Sequence, residues 1–127
     1  MMLLDSQALL WLLDDSPRLG PRARTAITEA TRVYVSAATV WELTFKAMLG
    51  KLVIPARFSE RILAQGLFLM AITAEDAEAI REYPELAKHD PFDRLIVAQA
   101  ANARLQLVTA DRVLLGLGRN FLIDAGK

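Results

Sequence analysis

The chain predicts an α/β domain built on a central, mostly parallel sheet of about five short strands with helices on both faces. Three observations carry that expectation. Short apolar runs alternate with helical segments along the chain, and such alternation implies right-handed crossovers between parallel strands. The runs are short and apolar, as strands covered on both faces are. No repeat, low-complexity tract or linker interrupts the 127 residues, so one domain spanning 1–127 is expected.

Met2 to Leu4 reads as a strand ending at Asp5, and Ala8 to Leu13 has helical character until Asp14-Asp15-Ser16-Pro17 breaks it. Pro21 suits the first turn of a helix reaching about Thr31, where its missing N–H costs nothing. Val33-Tyr34-Val35 is a short buried strand, β-branched and aromatic. Ser36 caps a helix running to about Leu49, and Gly50 ends it. A further helix covers roughly Ser59 to Gln65, and Leu69 to Ile72 reads as a strand closed by Thr73. Thr73 and Asp76 have the spacing of a capping box for a helix from Ala74 to Glu82. After Pro84, the stretch Lys88-His89-Asp90-Pro91 is a break, and Phe92 to Ala103 is a helix with apolar residues at mixed three and four spacing. Leu107-Val108-Thr109 is a strand, Ala110-Asp111 a turn and Arg112 to Leu115 a short helix, with the final strand near Phe121 to Ile123.

Composition removes several classes of function. Without cysteine there are no disulfides, thiol nucleophiles or thiolate metal sites, and the single histidine, His89, cannot build a zinc site alone. Its polar neighbours suggest a surface turn, and no serine, histidine and acid set is credible around it. The N-terminus lacks the pattern of a secretory signal, and no apolar run approaches the ~20 residues of a membrane span. A cytoplasmic protein with no membrane association is expected. Fifteen basic residues balance fifteen acidic ones, so net charge argues neither for nor against nucleic acid. Arginines at 18, 22, 24, 32, 94, 112 and 119 remain available for phosphates. The apolar fraction of 54% exceeds the usual roughly 45 to 50%. Apolar surface left over on a small chain tends to be covered by another subunit, and Trp11 and Trp41 read as core or interface. Gly116-Leu117-Gly118 and Gly50-Lys51 both lack the residues that complete a nucleotide-binding motif.

Four acids carry the chemistry: Asp5, Glu42, Asp93 and Asp111, each in or beside an apolar stretch. Carboxylates seldom go there without a partner, and several sharing one cleft call for a hard divalent cation such as Mg²⁺ or Mn²⁺. Asp5 and Asp111 both fall just past strand ends, where an open α/β sheet gathers its ligands. Each also has a plain reading. Asp5 and Asp111 serve as N-caps, and Asp90 caps the helix whose first turn holds Pro91 and Asp93. Glu42 is the one that capping does not explain, being six residues past Ser36; its plain reading is an ion pair with Lys46. Of Asp90 and Asp93, the second suits metal ligation better and the first capping.

Four segments then resemble, in order, the PIN-domain ribonucleases of the VapC toxin type: Leu3 to Leu12, Val35 to Leu43, His89 to Ala100 and Leu107 to Asp111. The resemblance spans nearly the whole chain and implies a PIN-like fold. It also implies that Asp5, Glu42, Asp93 and Asp111 line a Mg²⁺ or Mn²⁺ site that cleaves RNA. Thr109 and Ser6 match small hydroxyl residues near the metal, and Asp111 matches the most variable of the four acids. A homodimer is implied as well, together with a cognate antitoxin whose C-terminal segment blocks the acidic site.

The expected mechanism is hydrolysis of RNA by a metal-activated water, with Asp5, Asp93 and Asp111 as ligands. Glu42 either binds metal through water or orients the nucleophile. A structure-dependent DNA nuclease would use the same chemistry. A phosphoacceptor receiver domain is disfavoured, because Asp14-Asp15 follows a helix and no lysine follows Val108. A non-catalytic α/β binding module, its acids serving only as caps, is the reading from a different class.

Overall fold

The computed structural model describes residues 1–127. In chain order the elements are β1 (Met2–Leu4), α1 (Ser6–Leu13), α2 (Pro21–Glu29), β2 (Val33–Ser36), α3 (Ala37–Met48), α4 (Phe58–Ala64) and β3 (Phe68–Met70). There follow α5 (Ala74–Ala79), α6 (Pro91–Asn102), β4 (Gln106–Thr109), α7 (Arg112–Leu115) and β5 (Leu122–Asp124). Two 3₁₀ turns, Ile80–Glu82 and Pro84–Leu86, join α5 to α6.

The strands form one sheet in the order β3-β2-β1-β4-β5. Every pairing is parallel, so the expected mostly parallel sheet is entirely so. Leu4 of β1 sits in register between Val35 and Val108. The chain steps outward from β1 through β2 to β3, then returns to lay β4 and β5 on the other side. The crevice beyond the carboxyl ends of β1 and β4 is therefore a topological switch point, where such sheets bind their ligands.

Strand alternation divides the core in two. Met2, Leu4, Val35 and Val108 face Ala8 and Leu9 of α1, Ala23 of α2, Leu43 of α3 and Ile62 of α4. Leu3 and Leu107 face the other way, toward Ala38 of α3, Val97 and Ala100 of α6 and Leu114 of α7. Leu3, Leu4, Leu9 and Leu107 are fully buried, each worth roughly 1.5–3 kcal/mol of transfer free energy.

Most expected elements form, with informative shifts at their ends. Ser36 caps α3 by accepting from the Ala38 amide at 3.0 Å, and Gly50 takes the left-handed φ of 75° that ends the helix. Thr73 and Asp76 form the expected reciprocal capping box. The helix expected over Ala74 to Glu82 tightens into 3₁₀ geometry at Ile80, because Pro84 drives Tyr83 to φ −121° and ψ 61° and no α-turn can continue. Strand β3 is Phe68–Met70 rather than Leu69 to Ile72, since its partner β2 ends at Ser36, opposite Met70. Helix α2 stops at Glu29, and β5 begins at Leu122, one residue later than expected. Trp11 packs against the core, whereas Trp41 is 64% exposed.

A buried polar network ties α5 and α6 to the sheet. Gln99 donates to the Ala71 carbonyl at 3.1 Å and to Asp76 at 3.3 Å, and accepts from the Ser36 hydroxyl. Asn102 completes it by donating to Asp76 at 3.1 Å. Burial raises and these bonds lower the Asp76 pKa, and the bonds win.

Candidate active site

Strand ends and helix starts aim the acids at the switch-point crevice. Asp5 follows β1 directly and caps α1, accepting from the Ala8 amide at 2.8 Å. Asp111 stands two residues past β4 and caps α7, with Oδ1 accepting from the Val113 and Leu114 amides at 2.8 and 3.2 Å. Asp90 caps α6 through the Phe92 amide at 2.8 Å, which leaves the carboxylate of Asp93 free of capping duty. Glu42 reaches in from the middle of α3, one and a half turns past its cap. Asp5, Glu42, Asp90, Asp93 and Asp111 all line one open cleft of about 390 Å³, together with Ser6.

The supporting hydroxyls are engaged. Ser6 donates to Glu42, and Lys46 donates to the other Glu42 oxygen at 2.6 Å. Thr109 accepts from the Asp111 amide at 3.0 Å and bonds the Asp5 carboxylate. The plain reading of Glu42 as partner of Lys46 thus holds. That pair lies within the cleft, which makes Lys46 the one cation lining it. None of the seven arginines lines it; Arg24, Arg112 and Arg119 pair instead with Asp15, Asp124 and Glu85.

Electrostatics set this cluster apart from ordinary caps. Burial pushes Asp5 up to about 6, against the bonds from Thr109 and Ala8 and with help from the charges of Asp111 and Glu42. Burial, then the charges of Asp90, Asp111 and Asp5, push Asp93 up to about 7. Asp111 goes the other way, since the Leu114 and Val113 amides and His89 outweigh its burial. Lys46 is raised above the usual lysine value, chiefly by its bond to Glu42. Carboxylates that burial and mutual repulsion keep partly protonated near neutrality are a donor set that a divalent cation would relieve. Hard oxygen donors from separate elements fit Mg²⁺ or Mn²⁺.

His89 is the residue that sequence reasoning misjudged. It does lie in the expected surface turn, between exposed Lys88 and Asp90, but its ring is half-buried, with Nε2 3.0 Å from Asp111 Oδ2 and 3.1 Å from Asp93 Oδ2. The available signal was its position four residues before Asp93; the partner at Asp111 is 22 residues away and invisible locally.

A larger hollow of about 840 Å³ runs along α5 and α6. Among its polar groups, Asp76 is already bonded by Gln99 and Asn102, which leaves the smaller acidic cleft as the candidate for chemistry.

Comparison with known proteins agrees with this fold. The family model for the PIN domain matches residues 2–119. Ribonuclease VapC22 of Mycobacterium tuberculosis is 34% identical over 115 residues, covering 89% of this chain and 88% of that protein. Among solved structures, a toxin-antitoxin complex from Klebsiella pneumoniae superposes with a TM-score of 0.68 at 19% identity, covering 98% of both chains. VapBC2 from Rickettsia felis, bound to a promoter DNA fragment, gives a TM-score of 0.66 at 15% identity, with 96% of this chain and 95% of that one covered. The chain belongs to the PIN-domain family and, within it, to the VapC type.

Proposed function

We propose that this protein is a Mg²⁺- or Mn²⁺-dependent endoribonuclease and the toxin of a toxin-antitoxin pair. The observation that carries the reading is the convergence of Asp5, Asp93 and Asp111 on one switch-point cleft, with Asp5 and Asp93 held well above the usual carboxylate range. The ribonuclease name of the 34%-identical mycobacterial relative favours RNA over DNA.

A divalent cation held there would supply an acidified water and would offset the charge that builds on the phosphate oxygens. In this reading Asp5, Asp93 and Asp111 hold it. Capping fixes Asp5 and Asp111, so the donors are preorganised by the same bonds that start α1 and α7. Glu42, with its oxygens taken by Ser6 and Lys46, acts at one remove, through water. Lys46 offers an ammonium to a phosphate oxygen at the cleft. Thr109 holds Asp5 and the Asp111 backbone in register.

The partners follow from chemistry and from the relatives. The complexes named for toxin-antitoxin pairs support a cognate antitoxin, and an acidic cleft lined by one cation suits a basic residue from its C-terminal segment. Trp41, Phe45 and Met48 form an exposed apolar stripe on α3, beside the edge strand β3 with its exposed Phe68 and Leu69, which supports a homodimer. No helix is long and apolar enough to cross a membrane. An RNA substrate and a co-encoded partner accord with a cytoplasmic site of action.

Parallel assays on single-stranded RNA and on flap DNA test the substrate. RNA is cut in Mn²⁺, not in excess EDTA, and flap DNA is spared. Preferential cutting of the flap would move the protein to the DNA nucleases. Cleavage of neither, without Mn²⁺ binding, would leave a binding module.

A further inference from the structure

We propose that His89 is a metal ligand, making this a mixed nitrogen and oxygen site that favours Mn²⁺ over Mg²⁺. The inference rests on the metal-dependent reading above and deepens it.

The ring nitrogen Nε2 makes one hydrogen bond, with Asp111 Oδ2, and faces a second carboxylate, that of Asp93, which it does not hydrogen-bond. Nε2 lies 3.0 Å from Asp111 Oδ2 and 3.1 Å from Asp93 Oδ2, and the three donor atoms lie within 4.8 Å of one another. A ring nitrogen carries at most one hydrogen, so it cannot donate fully to both carboxylates at once. Adjacent donors on an octahedral ion with bonds of about 2.1 Å sit about 3.0 Å apart, the diagonal of a square of bonds. The spacings of 3.0 and 3.1 Å at Nε2 are close to that value.

Apart from their contacts with one another, the three donor atoms carry no other side-chain bond. Asp111 spends Oδ1 on the amides of α7, leaving Oδ2 for His89. Asp90 does the capping at α6, and Asp93 Oδ2 has His89 as its close partner. The imidazole itself is carried on a fixed support: the His89 amide donates to the Leu86 carbonyl at 2.9 Å, and Leu86 and Tyr83 are buried in the core beneath.

An imidazole changes which ion the site prefers. Mg²⁺ demands hard oxygen donors and gives up its waters reluctantly, whereas imidazole binds better to the first-row divalent ions, of which Mn²⁺ is the hardest. His89 is the only imidazole and there is no cysteine, so nitrogen ligation from a side chain ring has one source.

Pulsed electron paramagnetic resonance on the tag-free full chain loaded with Mn²⁺ tests this. The expected spectrum carries the ¹⁴N modulation of a directly bound imidazole. His89→Gln removes that modulation and weakens Mn²⁺ by about 10-fold or more in calorimetry, with a smaller loss for Mg²⁺. Mn²⁺ bound tightly with no nitrogen modulation overturns the assignment of His89 while leaving the metal-dependent reading intact. No Mn²⁺ binding at all overturns both. The spectrum of the unaltered chain decides the matter even if the variant folds poorly.

Discussion

Asp93→Asn abolishes most RNA cleavage, by about 10²- to 10³-fold or more, in a protein whose fold is unchanged. The second half follows from the division of labour at the start of α6. Asp90 accepts from the Phe92 amide, so the carboxylate of Asp93 contributes nothing to capping and its loss does not fray the helix. Asparagine is close in shape and lacks the charge that would hold a cation. Asp90→Ala reverses the pattern, with about 1 kcal/mol of stability lost and catalysis largely kept. Single-turnover cleavage in Mn²⁺, set beside circular-dichroism melts of the same preparations, checks both. Full activity of Asp93→Asn would remove Asp93 from the site.

The second large effect is a stability that falls with rising pH when metal is absent. Asp5 and Asp93 have folded pKa values raised to about 6 and about 7 from an ordinary 3.8. Between those limits the folded state keeps protons that the unfolded chain has released, so folding is favoured at low pH. That contribution is complete below about pH 4 and is lost as pH rises through about 6 for Asp5 and about 7 for Asp93. Asp76 and Asp111, with lowered values, act in the opposite sense, but their contribution is already complete above the ordinary carboxylate range. For Asp5, only 5% exposed, a displacement of about two units corresponds to an order of 3 kcal/mol.

Chelated protein should therefore melt lower at about pH 8 than at about pH 5, and Mn²⁺ should restore more at the higher pH. Asp5→Asn keeps the cap to Ala8, removes the buried charge, and raises the metal-free midpoint at about pH 8 by several degrees. A chelated protein that gains stability steadily across that interval would contradict this balance of burial and repulsion. On the proposed metal-dependent reading, function costs stability: the acids would destabilise the fold until a cation binds.

Which parts of this were legible in the sequence depended on how local their causes are. Asp5 and Asp111 could be read because short apolar strands announce their own carboxyl ends, and a cap and a ligand want the same position there. Glu42 stood out for the opposite reason, since capping does not explain a carboxylate in the middle of α3. Its pairing with Lys46 was visible as an i,i+4 relation, but the direction of that pair into the cleft was not. His89 was hidden because its neighbours Lys88 and Asp90 are exposed and polar, while Asp111 meets it only after α6 and β4 bring the chain back across the crevice. The ends of β3 depended on how far β2 extends, a pairing no single segment reveals.

In the proposed mechanism these acids would deliver a metal-activated water to the phosphodiester. End-group mass spectrometry of RNA cleaved in ¹⁸O-labelled water tests it most directly. The account predicts linear phosphate ends carrying label from the solvent, formed in Mn²⁺ and absent in EDTA. Unlabelled 2′,3′-cyclic phosphate ends, formed equally in EDTA, would mean that the RNA's own hydroxyl is the nucleophile and would contradict it.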